Sequence, residues 1–400
     1  MTASDKKGIF LPDLTQSDAA PPTTVHSLYK AGSRRRITLV VFLLILLIVS
    51  AIFSAGIGSV AISPEDTVLS VAHACADSVQ HFLHTYLPNV GAWYDSIPFT
   101  VPSPSNPQAE LIVVGFRLPR IILAILTGLS LAVAGTMMQG LLRNPLVDPF
   151  MLGLSSAAAF GAAVAIVIGP GILGGLVIIG SNSFIIILAF LFGWLSMLLV
   201  YGISRARGVN QATLILSGVV IGYIFSAGII FLQYITNNDQ LRDLIVWLMG
   251  GMWGASWTSV LLLIPLTLIP FFLLERMAWD LNAFSAGDEV AKSLGINVNR
   301  LRLSGLMIST FAASCCLAFT GIIGFIGLMG PHICRMIIGN DHRYLIPCSG
   351  LMGAVILLIS DTVARTIMSP VEIPVGVIMY VIGGLFFLFL IMRARGRGLY

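Results

Sequence analysis

The chain has 400 residues, of which 57% are hydrophobic and only 10% are charged, and its mean hydropathy is +0.94. Soluble proteins carry roughly 25% charged residues, so composition excludes a water-soluble globular protein. The formal net charge of +4 is small, and the position of the charges is more informative than their sum. We therefore expect an all-α, polytopic integral membrane protein.

The N-terminal residues 1–36 are polar, with several Ser, Thr and Asp, which predicts a disordered cytoplasmic tail. Arg34–Arg36 close this segment and precede the apolar run from Ile37 to Phe53. The run is too long for the apolar core of a cleaved signal peptide. It is therefore interpreted as a retained first membrane span.

A membrane span needs about 20 apolar residues, and ten segments come near this length. Lys and Arg concentrate on one side of such a ten-span arrangement, which is typical of cytoplasmic loops. This predicts cytoplasmic termini, one transmembrane domain over residues 37–393 and a short tail at 394–400. The ten predicted spans are Ile37–Val60, Ile112–Leu142, Leu152–Ile168, Phe184–Tyr201, Leu214–Tyr234, Val260–Leu274, Leu303–Thr320, Ile322–Ile338, Tyr344–Arg365 and Val375–Met392.

One predicted extracytoplasmic insertion, residues 61–110, is unusually long. Its run Ser63-Pro64-Glu65-Asp66 has the cap, proline and acids typical of a helix start, and apolar residues then recur at helical spacing. We expect an amphipathic helix on the outer face, followed by a proline-rich loop. His81 and His84 could share a metal, but no third ligand is placed beside them. A solvated helix face is therefore favoured, and no metal site is predicted.

Four arginines oppose the charge pattern, because they lie in predicted outer segments, and one of them is Arg242. Of the other three, Arg117 and Arg120 begin the second span, and Arg365 ends the ninth. One interpretation is that they anchor span ends at lipid headgroups, with Arg365 partly neutralised by Asp361 four residues earlier. The other is a basic platform that receives an acidic partner from outside. Charge alone does not separate these two interpretations.

The stretch from Glu275 to Arg302 is a charged, helix-forming segment between two long apolar runs, and the charge pattern makes it cytoplasmic. We predict a short helix that Ser285 caps, with Asp288 three residues on as in a capping box. Gly295 would end this helix.

The same predicted helix is amphipathic. Val290 and Leu294 fall on one face, and Asp288 and Lys292 have the spacing of an ion pair. A helix of this kind between two spans is a candidate surface for a soluble partner. The alternative is a helix that lies on the lipid headgroups.

Glycines recur every third residue from Gly321 to Gly330 and lead into Pro331-His332. This pattern predicts a broken helix, which membranes tolerate only where it is buried or lines a cavity; a tight helix crossing is the alternative. His332 is interpreted as an interior or interfacial histidine with satisfied hydrogen bonds rather than a ligand. The cysteines form no Cys-x-x-Cys pair, so no disulfide framework is predicted.

No lysine follows a glycine, so the sequence contains no phosphate-binding loop. Acidic residues inside the predicted spans are nearly absent apart from Asp361, whereas an ion-driven carrier usually needs them. We therefore predict a passive pathway that a separate partner energises. The rivals are a secondary carrier or channel and a membrane-embedded enzyme, for which no catalytic residue is predicted.

Several stretches resemble the permease subunit of type II ATP-binding-cassette (ABC) importers, which carry ferric siderophores, haem and vitamin B12. They follow in the family's order from Phe116 to the C-terminus, and their combination is highly specific. The stretches are FRLPR at Phe116–Arg120, QGLLRNPLVDPFMLGLSSAAAFGA at Gln139–Ala162, WLMGG at Trp247–Gly251, GDEVAKSLGINVNRLR at Gly287–Arg302, GFIGLMGPHICRMIIGNDHRYLIP at Gly324–Pro347 and SDTVARTIMSPVEIPVGVIMYVIGG at Ser360–Gly384.

The resemblance implies a homodimer in the cell membrane with ten helices per subunit and the pathway at the dimer interface. Two ABC ATPase subunits, which hold ATP and Mg, would energise import of a metal chelate. This chain would then hold no cofactor, catalyse no reaction and bind no nucleic acid. An extracytoplasmic substrate-binding protein would dock on family arginines that match Arg117, Arg120 and Arg365.

The family's ATPase-docking helix maps to Ser285–Arg300 within a coupling segment 277–302, and the pathway-lining fifth helix maps to about Gln211–Tyr234. The chain differs from the vitamin B12 importer at its gate, where small hydroxyl residues stand, and has Gly384-Leu385 where the family often has Ala-Pro. The residues implied in the pathway or gate are Gln211, Ala212 and Gly218. Those implied in coupling are Ser285, Gly287, Asp288, Glu289, Val290, Lys292, Leu294, Gly295 and Arg300.

Overall fold

The computed structural model describes residues 22–58, 60–86, 102–170, 181–206 and 211–394, and within these ranges the regular structure is entirely helical. Residues 1–21 of the predicted N-terminal tail (1–36), residues 395–400 of the predicted C-terminal tail (394–400) and most of the predicted proline-rich loop lie outside the described residues. The helices are α1 (Pro22–Gly56), α2 (Pro64–Tyr86), α3 (Leu118–Leu141), α4 (Leu154–Val167), α5 (Ser181–Ala206), α6 (Gln211–Ile235), α7 (Asn238–Met249), α8 (Trp257–Arg276), α9 (Ala278–Ser285), α10 (Asp288–Ser293), α11 (Val298–Thr320), α12 (Ile326–Ile338), α13 (His342–Ala364) and α14 (Val375–Ala394).

The membrane-spanning helices agree with the hydropathy pattern. Over the described ranges, eight helices are long and apolar enough to cross a membrane, and α4 and α12 are shorter apolar helices. Each of these ten elements overlaps one predicted span. The largest difference is at α1, which begins at Pro22 rather than Ile37 and therefore takes in part of the predicted tail.

The helices α3 and α13 form the centre of the bundle. The most apolar stretch of α3 is 83% buried and that of α13 is 67% buried, whereas that of α1 is only 17% buried. Glycine allows the two central helices to cross at backbone contact, because a methyl group added at Gly128 would lie 2.4 Å from the carbonyl oxygen of Gly353. Small residues commonly mediate such crossings in membranes.

The glycine repeat marks a break between α11 and α12. The chain leaves α11 at Gly321 (φ 67°) and re-enters a helix after Phe325 (φ 69°), so the predicted eighth span is shortened to Ile326–Ile338. A second glycine contact lies just beyond the break, since a methyl group at Gly135 of α3 would be 2.0 Å from the carbonyl oxygen of Gly327. The predicted broken helix is confirmed, and it is buried against α3.

The insertion begins with the predicted helix. In α2 the Ser63 hydroxyl accepts a hydrogen bond from the Asp66 amide at 3.0 Å, and Glu65 and Asp66 are the acids of the first turn. Asp66 also accepts a hydrogen bond from the Ser105 amide at 2.6 Å, which ties α2 to the segment before the second span. Hydrogen bonds from Ser105 and Ser63 lower the pKa of the Asp66 carboxyl.

The second span is one continuous helix from Pro107 to Leu141, and it contains a π-helical segment at Leu111–Arg117. A π-helical turn changes the direction in which side chains leave the helix. The sequence patterns did not predict this segment. They also did not predict α7, which Asn237 caps through the Gln240 amide at 2.9 Å.

Candidate functional site: two charged clusters at opposite ends of the bundle

The first cluster, which we call the Asp361 end, lies where α1 stops. A helix leaves its last carbonyl groups without partners, and these groups attract cations. Arg117 donates to the carbonyl oxygen of Ala55 at 2.7 Å, to that of Gly56 at 3.1 Å and also to that of Val60. Arg365 donates to the carbonyl oxygen of Ser54 at 2.8 Å. Two arginines from different helices therefore cap α1.

Two carboxylates balance the arginines of this end. Arg120 donates to both oxygens of Asp361 at 2.9–3.1 Å and to Glu372 at 2.7 Å. The Nε atom of Arg365 lies 3.7 Å from Asp361 Oδ2, four residues earlier on α13. Asp361 is fully buried. The cluster therefore joins α1, α3, α13 and the loop before α14 through paired charges.

The predicted docking arginines are thus directed into the protein. Arg117 is 5% exposed and Arg365 is 4% exposed, and the side chain of Arg120 is 14% exposed. The expected pairing of Arg365 with Asp361 is present. Burial of these charges does not match an exposed platform, and their role in receiving a partner stays a prediction.

The second cluster consists of α9, α10 and the start of α11 at the other end of the bundle, and we call it the coupling surface after the role that the family resemblance predicts for it. The predicted cap is wrong: Ser285 ends α9 and donates to the carbonyl oxygen of Leu281 at 2.8 Å. Helix α10 instead follows Gly287, whose φ of 129° is strained for any other residue. The chain must turn between two short helices here, and glycine allows that turn.

Asp288 anchors α10 to the membrane helices. Its carboxylate lies 2.6 Å from a guanidinium nitrogen of Arg143, just after α3, and 3.8 Å from one of Arg302 on α11. The buried ring of Phe284 lies under both guanidinium groups, 4.0 Å from that of Arg143 and 5.6 Å from that of Arg302. The predicted ion pair between Asp288 and Lys292 is wrong, because Asp288 turns inward.

The opposite face of α10, which we call the displayed face, is exposed on the surface of the chain. Lys292 pairs with Glu289 at 2.9 Å, and their side chains are 59% and 89% exposed. Val290 and Leu294 are 44% and 65% exposed and lie next to these charges, as their predicted shared face requires. Gly295 (φ 81°) ends the helix as predicted. Arg300 is also exposed, on the first turn of α11.

Asp341 links the coupling surface to two further helices. It accepts hydrogen bonds from Arg36 of α1 at 2.8 Å, from Asn282 of α9 at 2.8 Å and from Arg343 at 2.7 Å. Asn282 in turn accepts from the His342 amide at 2.8 Å. The hydrogen bond from Arg343 is the main reason that the pKa of Asp341 is lowered to about 2. The carboxylate is therefore charged at neutral pH and holds α9 in place.

An open cavity of about 280 Å³ lies beside this surface, between the ends of α3, α9 and α12. Arg143, Arg335 and Ser285 contribute to its wall. Arg335 also donates to the Gln139 amide oxygen at 2.8 Å, and the Gln139 nitrogen donates to the carbonyl oxygen of Gly327 at 3.0 Å. One side chain of α3 therefore contacts both ends of α12, the first turn after the break and the last turn beside the cavity.

Comparison with known proteins identifies this arrangement. Residues 45–393 match the model of the FecCD transport family. The chain belongs to the FecCD transport family. It is 40% identical to the hemin transport system permease protein HmuU of Yersinia pestis over 77% of this chain and 91% of that protein. It is 36% identical to the Fe(3+)-citrate import system permease protein YfmE of Bacillus subtilis over 90% and 96% of the two chains.

A solved structure gives the same fold. It is described as an inward-facing conformation of a metal-chelate type ABC transporter, with 30% identity and a TM-score of 0.72 over 89% of this chain and 99% of that one. The protein is therefore an ABC transporter permease with multiple membrane spans in the cell membrane, and the predicted family resemblance is confirmed. In this family ATP is hydrolysed by separate subunits.

The predicted gate residues of this FecCD permease separate into two groups. Gln211 and Ala212 are exposed at the start of α6. Gly218 is buried instead, and a methyl group there would lie 2.5 Å from the carbonyl oxygen of Met151. Gly218 thus allows α6 to approach the 3₁₀ turn Pro149–Leu152. Its assignment to the pathway stays a prediction, as does that of the other two.

The sequence did not predict one histidine contact, that between His73 and Glu110. His332 packs edge-on against Phe386 and Phe387, but the prediction that its hydrogen bonds are satisfied is wrong for Nδ1, which has no partner among the described residues. On α2, His81 and His84 are exposed, whereas His73 lies 3.2 Å from a carboxylate oxygen of Glu110. His73 and Glu110 are 37 positions apart in the sequence, so no local pattern indicates that they are close.

Proposed function

We propose that this chain is the permease of a metal-chelate importer and that it works as a homodimer driven by two separate ATPase subunits. Membership of the FecCD family supports the class, and the names of the relatives support haem, an iron chelate or cobalamin as substrate. In this proposal the coupling surface faces the cytoplasm, as the distribution of Lys and Arg predicts.

The observation that carries the proposal is the division of α10 into an anchored face and a displayed face. Asp288 contacts Arg143 and Arg302, which belong to the ends of membrane helices, while Glu289 and Leu294 point outward. A force applied to the displayed face would therefore move α3 and α11 together with α10. This is the mechanical connection that a passive gate needs if its energy comes from a docked ATPase.

The interface with a second copy is proposed along α6. The most apolar part of α6 is only 33% buried within the chain. Tyr223 and Tyr234 are 73% and 87% exposed, and Phe231 is 61% exposed. Aromatic side chains are enriched at protein interfaces, and tyrosine offers a hydroxyl to a polar cargo without a formal charge. A pathway between two copies of α6 would suit a large, polar chelate.

The alternative hypothesis, an ion-driven carrier, is disfavoured by the burial of Asp361 and its pairing with arginine. A coupling carboxylate must exchange protons or ions with a water-filled path. Asp361 is fully buried and paired with Arg120, so it is occupied by a structural partner. Transport in proteoliposomes separates the two mechanisms: we expect uptake to require ATP and the ATPase subunit, and to persist when a protonophore collapses the proton gradient.

Variants of the displayed face test the coupling step. We expect Leu294→Asp and Glu289→Lys to lower transport-coupled ATP hydrolysis at least about tenfold, because they change a contact surface and leave the anchor intact. Glu65→Lys, an exposed position on α2, is the matched control and should leave hydrolysis unchanged. Normal coupling in both displayed-face variants would contradict the assignment of α10.

Binding-protein docking is proposed for the Asp361 end. The three arginines there hold the fold together, so charge reversal at them would change folding and docking at once. Arg242 on α7 is exposed, which makes Arg242→Glu the informative variant. Weaker pull-down of the binding protein by the folded Arg242→Glu permease would support an acidic partner at this end. Unchanged pull-down would remove Arg242 from the proposed docking surface.

A further inference from the structure

We propose that the insertion carries a divalent-metal site formed by His73, Asp77 and Glu110. His73 and Asp77 lie one turn apart on α2, and Glu110 ends the short helical turn that leads into the second span. The site is separate from both charged clusters. It does not depend on the proposed transport function, because its residues belong to the insertion and not to the coupling surface.

The distances match those of a metal polyhedron. His73 Nδ1 lies 3.5 Å from Asp77 Oδ2 and 3.2 Å from Glu110 Oε2, and the three ligand atoms all lie within 4.8 Å of one another. Ligands bound to one tetrahedral Zn²⁺ at about 2.1 Å are about 3.4 Å apart. An ion can therefore occupy the space between these atoms after small side-chain rotations.

The neighbours of the His73 imidazole nitrogen are the two carboxylates of the proposed site. His73 Nδ1 is shielded from solvent and makes no hydrogen bond within the described part of the chain, although two carboxylates face it. A buried polar atom without a partner is costly, and a ligand removes that cost. Asp77 has a 61% exposed side chain, so an ion has a path into the site from solvent.

The protein holds the two sides of the site together without the ion. Asp66 of α2 binds the Ser105 amide, and Ile62 packs with Ala109 and Val113 on the segment that contains Glu110. The ligand atoms are therefore brought together by contacts that lie one or two turns away. An ion bound here would fasten α2 to the start of the second span.

The donor set selects the kind of ion. One imidazole nitrogen with two carboxylate oxygens suits first-row divalent ions such as Zn²⁺, Mn²⁺ or Co²⁺, with water in the remaining positions. The competing arrangement is a protonated His73 held between the two carboxylates. That arrangement needs no metal and uses the same atoms, so the experiment must distinguish the two.

Cobalt binding provides the test. The full chain is purified in detergent without a polyhistidine tag, stripped with EDTA and titrated with Co²⁺, whose visible absorption reports coordination; competition with Zn²⁺ follows. We expect one Co²⁺ per chain, with affinity reduced at least about tenfold in His73→Ala and in Glu110→Gln. His81→Ala, at an exposed position on the same helix, should bind as the wild type does.

Two results would overturn the proposal. One is the absence of Co²⁺ absorption and of Zn²⁺ binding in the wild-type chain, which would favour the protonated histidine. The other is unchanged binding in His73→Ala, which would place the ion elsewhere. Should His73→Ala fail to fold, Asp77→Asn at a largely exposed position replaces it, and the same loss of affinity is expected.

Discussion

The Asp361 end and the coupling surface contain similar residues but use them differently. At the Asp361 end, Arg117, Arg120 and Arg365 all turn inward, where they cap α1 or pair with carboxylates. At the coupling surface, Asp288 turns inward while Glu289 turns outward. Charge near a membrane boundary therefore serves either to join helices or to present a surface, and burial distinguishes the two uses.

The largest effect is expected from removing the shared carboxylate of the Asp361 end. Asp361→Ala leaves Arg120 and Arg365 buried beside each other without their common partner. Breaking a buried ion pair from one side typically costs about 3–5 kcal/mol. We expect a much lower thermal unfolding midpoint and loss of the single peak in size-exclusion chromatography. Asp239→Ala, at an exposed position, is the control, and an equal loss there would contradict this account.

A smaller loss is expected where α3 passes between the two ends. In Gly135→Ala the new methyl group would overlap the backbone of Gly327, so α3 and α12 must separate. Overpacking of this kind costs about 1–3 kcal/mol. Gly202→Ala is the matched control, because nothing lies within 4 Å of a methyl group there. Thermal unfolding of the two variants side by side measures the difference, and equal midpoints would show that the crossing is loose.

Asp341→Asn is expected to cost about 2.5 kcal/mol, because the carboxyl pKa is lowered from its ordinary value of 3.8 to about 2 and each tenfold change in the protonation equilibrium corresponds to about 1.36 kcal/mol. This stabilisation is present above pH 4 and is lost as the pH falls from about 4 to about 2. Unfolding midpoints of the wild type and the variant should therefore converge on acidification. Asp280→Asn, exposed on α9, should follow the wild type.

The smallest effect on stability is expected at the displayed face. Lys292 and Glu289 form an exposed pair, which solvent screens, so Lys292→Ala should leave the unfolding midpoint unchanged. A clear drop in the midpoint would show that α10 depends on this pair, and that its outward face is not free for a partner.

Hydropathy was sufficient to predict the membrane spans, because a bilayer demands long apolar helices whatever surrounds them. The break after Gly321 was also predictable, since glycine at regular spacing before proline weakens a helix. The start of α1 was not, because a polar helical extension outside the bilayer has no hydropathy signal. The same reason explains why α7 was missed.

The charged sites were predicted as regions but not as contacts. Ser285 satisfied the spacing of a capping box, yet Gly287 and not Ser285 precedes α10. The outer arginines were assigned to a surface because a sequence gives the place of a charge and not its direction. The His73–Glu110 contact required the return of the chain after the insertion, which no local pattern encodes.

The contacts at the two ends of the membrane-spanning part of α1 determine whether another hydrophobic helix could replace it. The membrane-spanning part of α1, Arg34–Gly56, is held near its start by the ion pair of Arg36 with Asp341, and Arg117 and Arg365 bind carbonyl groups of its final turn. An unrelated hydrophobic helix that ended at the same level would still offer backbone carbonyl groups to Arg117 and Arg365, but it would lack the guanidinium group that binds Asp341. The first transmembrane helix therefore connects the two ends of the bundle. An insertion or deletion within it would move either Arg36 or the last carbonyl groups away from their partners.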